Sequence, residues 1–314
     1  MLSYIAKRLL LTLPTLLLVA LAVFFLIRLI PGDPALVMLG DSGDAASLAA
    51  LRQDLGLDQP LPLQFVVWLE HAVRGDLGHS IITSEPVTDL IFQRFQLTAI
   101  VVLISVGAAT VIAVLAGLVA AWRRDSLLDL TVVGGATLVL AIPSFWLGLI
   151  LLLVFGLKLG WLPVVGYVPF SESAVEAALF LVLPVLTLTI TESGVLTRMM
   201  RSSAIDVLRL EYVTHARAKG LAESTVLLRH VFPNAFAPTL TLIGLILGHL
   251  LGGIAVIETV FTLPGLGRLM VDSILARDYP VVQGCLLFTA VIYVVVNLVV
   301  DLCYPLFDPR VTAQ

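Results

Sequence analysis

Charged side chains are scarce in this chain of 314 residues, where Asp, Glu, Lys and Arg together make up 13% of the sequence. Soluble domains carry about 25% charged residues, so the composition argues against a soluble enzyme and against a disordered chain. The formal net charge is −4, with 18 basic and 22 acidic side chains. No overall basic field is therefore present to attract nucleic acid.

Cysteine is also scarce, since the chain contains two. Cys285 and Cys303 fall in the same apolar stretch, and eighteen residues of helix would hold them about 27 Å apart. That distance excludes a disulfide within the chain, and two cysteines cannot support a disulfide-rich scaffold.

The sequence motifs of common catalytic and cofactor sites are missing. No lysine precedes Ser or Thr, so the chain has no P-loop for ATP. It has no His-Glu-x-x-His metal site and no Gly-x-Ser-x-Gly nucleophile elbow. Gly265-Leu266-Gly267 lacks the third glycine of a dinucleotide site and predicts a turn. We therefore expect neither catalytic residues nor a bound cofactor or metal in this chain, although His71 and His79 share one segment.

Long hydrophobic runs are what the sequence has in abundance, because 59% of its residues are hydrophobic. A helix needs about 20 mostly apolar residues to cross a bilayer, and a β-barrel would show alternating segments of about ten instead. The predicted fold class is an all-α polytopic membrane protein with six transmembrane helices. The expected spans are residues 9–30, 97–121, 130–155, 179–196, 236–257 and 281–307.

The first span has some features of a signal peptide. Lys7 and Arg8 resemble its basic region, and Ala20-Leu21-Ala22 resembles a cleavage site. The apolar run of about 20 residues is, however, longer than the usual 7–15. This length favours a retained transmembrane helix over a cleaved signal.

Basic residues in the loops predict the orientation. They concentrate in the N-terminus, at Arg123-Arg124 and in the loop 198–235, which holds six of them. The segment 31–96 carries three arginines against nine acids. We expect both termini in the cytoplasm and three parts: residues 1–30, an extracytoplasmic subdomain 31–96, and a core 97–314. A flexible linker is the alternative for 31–96, although loops of this length are usually functional or disordered.

The loop 198–235 predicts two short helices joined at a glycine. Residues 206–219 contain no Gly or Pro and end in Arg217 and Lys219, which suits a helix C-terminus. Gly220 suits the left-handed residue that follows, and residues 222–231 form a second helix that ends before Pro233. Such a hairpin could be a knob that a partner grips, or it could be an amphipathic surface element without a specific partner.

The same loop resembles the EAA loop of ABC importer permeases of the dipeptide, oligopeptide and nickel group. The resemblance rests on residues 212–221 (YVTHARAKGL), then Leu228-Arg229-His230 and Asn234. Further ordered matches cover nearly the whole chain: residues 28–34, 55–60, 75–78, 143–148, 258–268, 276–280, 297–301 and 308–310. The general motif begins Glu-Ala-Ala, where this chain has Thr214-His215-Ala216, and His215 is the unexpected residue.

The resemblance implies a multi-pass permease of the bacterial inner membrane, not an enzyme. Its implied partners are a second homologous permease, two cytoplasmic ATPase subunits that bind ATP and Mg, and an extracytoplasmic solute-binding protein. The implied solute is a peptide or a related small molecule, with nickel chelates and glutathione as alternatives. An ATP-independent transporter or channel is a further alternative, but it would leave the basic loop without a purpose. The residues implied in ATPase coupling are Glu211, Tyr212, Thr214, His215, Ala216, Arg217, Lys219, Gly220, Leu221, Arg229 and Asn234.

Polar residues inside spans are functional hypotheses by default, because lipid solvates them poorly. Glu192 and His249 are candidates for the translocation path. Glu192 could instead pair with Arg198 or with another helix, or face water, and His249 could pack against a neighbouring helix. Arg28 could reach the interface or pair with Asp33. The glycines 244, 248, 252 and 253 predict a close helix contact, either between two permeases or within this subunit.

Overall fold

The computed structural model describes residues 2–29, 45–54, 56–164 and 166–307, and in these ranges the regular elements are helices. The first four are α1 (Leu2–Leu29), α2 (Ala45–Asp54), α3 (Leu61–Val73) and α4 (Val87–Trp122). There follow α5 (Leu127–Ala141), α6 (Ser144–Leu151, continued by a π-helix Leu152–Lys158), α7 (Ala174–Leu208) and α8 (Glu211–Ala218). The last are α9 (Glu223–Thr225, continued by a π-helix Val226–Val231), α10 (Phe232–Leu251), α11 (Ala255–Val260), α12 (Leu266–Leu275) and α13 (Tyr279–Phe307). Asp33, predicted to pair with Arg28, lies outside the described residues.

Five segments are long and apolar enough to cross a membrane: Leu10–Leu29, Val87–Trp122, Ala174–Leu208, Glu223–Leu251 and Tyr279–Pro305. A sixth crossing exists if α5 and α6 count as one span, but these helices meet at an angle of 98°. The prediction of a continuous third span over 130–155 is therefore wrong. Pro143 explains the break, because the residue before a proline avoids the helical region, and Ile142 is extended at φ −97° and ψ 122°.

The fifth span also ends earlier than predicted. Helix α10 stops at Leu251, and the chain passes Gly252 and Gly253 before the short α11 begins. Gly253 has φ +125°, a conformation that side chains disfavour, and a Cβ there would lie 3.0 Å from the Cα of Gly267. The predicted limit at residue 257 is wrong because this turn separates α11 from the span.

The glycine series of α10 packs against α13 within the same subunit. Cβ atoms added at Gly244, Gly248 and Gly252 would lie 2.5–2.8 Å from side-chain atoms of Val300, Tyr293 and Thr289 respectively. These contacts put α10 and α13 antiparallel and very close together. Of the two predicted roles for these glycines, packing within the subunit is the one that the structure supports.

The helix α4 packs along α7 in the same direction. Ser105 of α4 donates a hydrogen bond to the carbonyl of Val185, and Gly117 lies against Met200. The loop after α4 and the turn after α7 are therefore at the same end of the bundle. We call this end, formed by residues 122–127 and 209–222, the basic end, and we call the end formed by residues 74–86 and 252–278 the opposite end.

The segment predicted as an extracytoplasmic subdomain packs against α1 in its described part. Phe24 of α1 is fully buried, with its ring 5.3 Å from that of Phe65 and 5.7 Å from that of Trp68 on α3. Arg28 donates to the Oε1 atom of Gln64 at 2.8 Å and lies over the Phe24 ring. The last residues of the segment already belong to α4, which begins ten residues before the predicted span.

The contact between α4 and α7 gives a matched test of packing. We expect Gly117→Ala to lower the free energy of unfolding by about 1–3 kcal/mol, because its Cβ would lie 2.8 Å from the Cβ of Met200 and 3.0 Å from a backbone nitrogen. Gly107→Ala on the same helix meets no atom within 4 Å and should be neutral or slightly stabilising. Thermal unfolding of both variants in detergent measures the difference, and equal midpoints would contradict this packing.

Candidate functional site

The predicted hairpin is present at the basic end as the segment 209–234, but it begins differently. A single helix over 206–219 is wrong, because α7 ends at Leu208 and α8 starts at Glu211. Leu210 between them has extended backbone angles, φ −73° and ψ 144°. No Gly or Pro marks this break, so the local sequence gave no signal for it. The result is a short helix that leaves the long axis of α7.

Gly220 adopts the left-handed conformation that the sequence predicted, with φ +78°. Its N–H donates to the carbonyl of Arg217 at 2.9 Å, and the N–H of Leu221 donates to the carbonyl of Ala216 at 3.4 Å. This pair of hydrogen bonds is the Schellman motif, which closes the C-terminus of a helix. The turn after α8 therefore has a fixed geometry.

The second helix of the hairpin does not end before Pro233. It begins as α9, continues through the π-helix Val226–Val231 and runs directly into α10. Pro233 has no N–H, which removes one hydrogen bond of a regular helix, and the wider π-helical turns immediately precede it. The hairpin is consequently continuous with a membrane helix.

Two inward side chains attach α8 to the bundle. Val213 is fully buried and Ala216 is 6% exposed, and both belong to an apolar cluster that also contains Met200, Val226 and Val231. Ala216 is one of the residues that the resemblance implied in ATPase coupling, and the structure packs it inside the subunit. Val213 was not singled out, although the three-residue spacing from Ala216 could have indicated a shared buried face.

The other residues that were implied in coupling have exposed positions on the segment. They are Glu211, Tyr212, Thr214, His215, Arg217, Lys219, Gly220, Leu221, Arg229 and Asn234. Three leucines on the segment are exposed as well, Leu210 by 46%, Leu221 by 40% and Leu228 by 63%. The surface thus combines basic and apolar side chains, as protein interfaces with a charged rim do.

Polar contacts make the hairpin rigid. The Tyr212 hydroxyl and the Asn234 amide both donate to the carbonyl of His230, at 3.3 and 2.9 Å. Burial raises the pKa of the Tyr212 hydroxyl, which keeps it a proton donor. The guanidinium of Arg217 donates to both carboxylate oxygens of Glu223, at 2.8 and 3.2 Å, across the Gly220 turn. The two arms of the hairpin are therefore tied to each other.

A further ion pair joins the neighbouring helices at the same end. Arg201 of α7 donates through Nε and Nη2 to the two oxygens of Asp129 on α5, at 2.5 and 2.6 Å. The Asp129 side chain is buried, and the N–H of Asp125 also donates to it at 3.0 Å. The sequence indicated Arg201 only as one of the basic residues of a loop. Its pairing with Asp129 could not be predicted, because the two residues are 72 positions apart.

Glu192 and His249 lie apart from this segment. Glu192 is half-buried on α7, and its side chain has no hydrogen bond or ion pair with the residues that the structure describes. The alternative that it pairs with Arg198 is therefore not supported. His249 is exposed on α10 and does not pack in the core of this chain. Neither residue is brought together with the hairpin.

The opposite end is organised around a buried carboxylate that the sequence reasoning missed. Glu258 is 1% exposed and accepts hydrogen bonds from the Thr98 hydroxyl at 2.6 Å and from the Arg268 N–H at 2.8 Å. Thr98 in turn accepts from the N–H of Leu266 at 2.9 Å. We call these contacts the Thr98–Glu258 network. The position of Glu258 directly after an apolar run could have indicated a buried acid. Its partner Thr98 on α4 could not be predicted, because it is 160 residues away.

Comparison with known proteins identifies the class of molecule to which this geometry belongs. Residues 113–313 match the family described as the inner membrane component of binding-protein-dependent transport systems, and residues 1–104 match its N-terminal family. These matches and the apolar helices define a multi-pass transport component of the bacterial inner membrane, not an enzyme. The chain belongs to this family, and it is a permease subunit of an ABC importer that associates with other ABC components.

Two relatives match over nearly their full length. A protein of Brucella suis biovar 1 named as a peptide transport system permease is 42% identical over 311 residues, which is 99% of both chains. A glutathione transport system permease of Escherichia coli O6:H1 is 42% identical over 315 residues, again 99% of both. A crystal structure of an amino acid ABC transporter covers 71% of this chain and 94% of that chain, with 20% identity and a TM-score of 0.47.

Gly220 allows backbone strain to be tested without steric clash, because a Cβ there meets no atom within 4 Å. We expect Gly220→Val to destabilise the turn by about 1–2 kcal/mol, since left-handed backbone crowds a Cβ. Gly220→Asn should cost less, because asparagine tolerates this conformation. Hydrogen–deuterium exchange over residues 211–222 measures the effect, and equal protection in the two variants would contradict the assignment of the turn.

Proposed function

We propose that the segment 209–234 couples this permease to an ABC ATPase subunit. The observation that carries the proposal is the placement of α8, which is exposed on one face and anchored by Val213 and Ala216 on the other. Lys219 and Leu221 follow α8 directly and are exposed on either side of the fixed Gly220 turn. A short helix held in this way can sit in a cleft of a partner and transmit its movement.

The anchoring suggests how movement reaches the membrane helices. Met200 lies in the same apolar cluster as Val213 and Ala216, and it also contacts Gly117 of α4 and the Thr239 hydroxyl of α10. A displacement of α8 would therefore press on three helices at once. Closure of the ATPase subunits on ATP would move α8 as a rigid lever and turn the bundle from inward- to outward-facing.

We further propose that the basic end is cytoplasmic and that the bent pair α5–α6 completes six spans. The basic residues near this end include Arg123, Arg124, Arg201, Arg209 and Lys219, which agrees with the tendency of cytoplasmic loops to be positive. Both termini would then be cytoplasmic. The opposite end would face the solute-binding protein, and a second permease subunit would complete the pathway.

The proposed solute is a peptide or a related molecule such as glutathione. The support is the names of the two relatives, which describe a peptide permease and a glutathione permease. A nickel chelate is the alternative that the same architecture could carry. Glu192 remains our candidate for the pathway, because its half-buried carboxylate lacks a protein partner in the described residues; His249 is the second candidate.

Charge reversal on the hairpin tests the coupling. In the assembled transporter we expect Lys219→Glu to reduce uptake and solute-stimulated ATP hydrolysis by at least about tenfold, because a reversed charge at an interface leaves unpaired groups. Arg124→Glu is the matched control, since Arg124 is also exposed at the basic end but lies on another loop. ATPase assays in proteoliposomes give the comparison. Equal losses in both variants, or normal activity in Lys219→Glu, would refute the specific role of the hairpin.

Uptake measurements test the solute and the energy source together. Proteoliposomes with the complete transporter and its solute-binding protein should accumulate dialanine or glutathione only when ATP is supplied. Accumulation without ATP would indicate a secondary transporter or channel. Uptake of a nickel–histidine chelate, with neither peptide transported, would replace the peptide assignment.

A further inference from the structure

A small cavity with two arginines opens at the opposite end of the bundle. It has a volume of about 300 Å³ and is lined by Arg94, Pro264, Arg268, Leu269 and Asp272. This volume is at the lower end of the range for small-molecule pockets. Arg94 comes from the first turns of α4, whereas the other lining residues come from the segment that leads into and forms α12.

The two guanidinium groups are poorly matched by negative charge. Arg94 is half-buried, and within the described ranges of the chain its side chain makes no hydrogen bond or ion pair. Arg268 faces the Asp272 carboxylate at 3.7 Å, a long contact between two partly exposed side chains. Each guanidinium has five N–H donors, so most of the donors at this cavity are free to bind a ligand.

The Thr98–Glu258 network fixes the backbone segments that carry the two arginines. Thr98 follows Arg94 by four residues on α4 and therefore lies on the same face one turn away. The backbone N–H of Arg268 is bonded directly to the buried Glu258 carboxylate. Gly265 is required beside it, because a Cβ there would lie 2.0 Å from a Glu258 oxygen. Buried hydrogen bonds thus fix the backbone on which the arginine side chains of the cavity are placed.

We propose that Arg94 and Arg268 form a subsite for the carboxylate of the solute being imported. A carboxylate is planar and accepts paired hydrogen bonds, which is the geometry that guanidinium groups present. The proposal rests on the proposed import of peptides or glutathione, which carry a free carboxylate. The Asp272 carboxylate repels an anion in the same cavity and so limits the affinity for the solute carboxylate. It can also bind the ammonium group of a zwitterionic solute.

A binding experiment on the assembled transporter tests the subsite. Calorimetry or saturation-transfer NMR measures the binding of dialanine and of its C-terminal amide in nanodiscs, without the solute-binding protein. We expect Arg94→Gln and Arg268→Gln each to weaken dialanine binding about tenfold, because each removes charge-assisted hydrogen bonds, and to leave binding of the amide unchanged. Asp272→Asn should strengthen dialanine binding. Arg94→Lys, which keeps the charge but loses the paired geometry, should fall between. Arg74→Gln is the control, since Arg74 pairs with Glu70 outside the cavity.

Several results would overturn the subsite. They are no detectable binding of dialanine to the unaltered complex, equal binding of the acid and the amide by that complex, or dialanine binding by Arg94→Gln and Arg268→Gln that is as tight as in the unaltered complex. If the variants weaken docking of the solute-binding protein but leave dialanine binding unchanged, the two arginines contact that protein and do not bind the solute. ATP-dependent uptake, measured in parallel, separates the two proposals. Uptake without discrimination of acid from amide refutes the subsite alone, and discrimination without uptake refutes the proposed function alone.

Discussion

Lipid cannot solvate polar groups, and this constraint decides where the few charges of the chain are placed. Asp129 and Arg201 form a bidentate ion pair at the basic end. At the opposite end, Glu258 is satisfied by Thr98 and by a backbone N–H. Removing one partner of such a buried group is far more costly than losing a surface pair, because the remaining charge stays in a poor solvent. These contacts therefore fix the helix ends, while apolar packing fills the length between them.

Glycines allow the helices to pack closely along their length. Gly117 brings α4 against α7, and Gly244 and Gly248 bring α10 against α13. In a membrane, helices gain little from the hydrophobic effect on association, so close van der Waals contact supplies much of the attraction. The bundle is thus held at its ends by hydrogen bonds and along its length by close backbone approach. Glu192 differs from this pattern, because its half-buried side chain has no hydrogen bond or ion pair with the described residues.

Sequence patterns predicted those features that depend on nearby residues. Apolar runs located the membrane helices, and the basic residues before Gly220 indicated the left-handed turn that the structure contains. The predictions failed where a local signal was absent or ambiguous. Leu210 breaks a helix without Gly or Pro, whereas Pro233 lies in a helix that continues after π-helical turns. The predicted third span assumed that a helix could continue through Pro143. In the structure Ile142, the residue before it, is extended, and the chain bends there.

The site was less predictable than the fold because its contacts join distant residues. The exposed part of the hairpin followed from resemblance, but the burial of Ala216 and the contribution of Val213 depend on α7 and α10. The Thr98–Glu258 contact spans 160 residues, and one sequence contains no record of which residues meet.

The two ends of the molecule nevertheless share the same helices. Helix α4 carries Arg94 and Thr98 near its start and Gly117 near its other end, where Met200 connects it to the α8 cluster. Because α4 is a continuous helix of 36 residues, about 54 Å long, a tilt imposed at one end must displace the other. Helix α4 thus connects the cluster that anchors the proposed lever to Arg94 of the proposed carboxylate subsite. The Thr98–Glu258 network joins α4 to the segment that carries Arg268, so in this proposal a tilt of α4 would reach both arginines through it. That network is consequently the point at which coupling and solute release would meet.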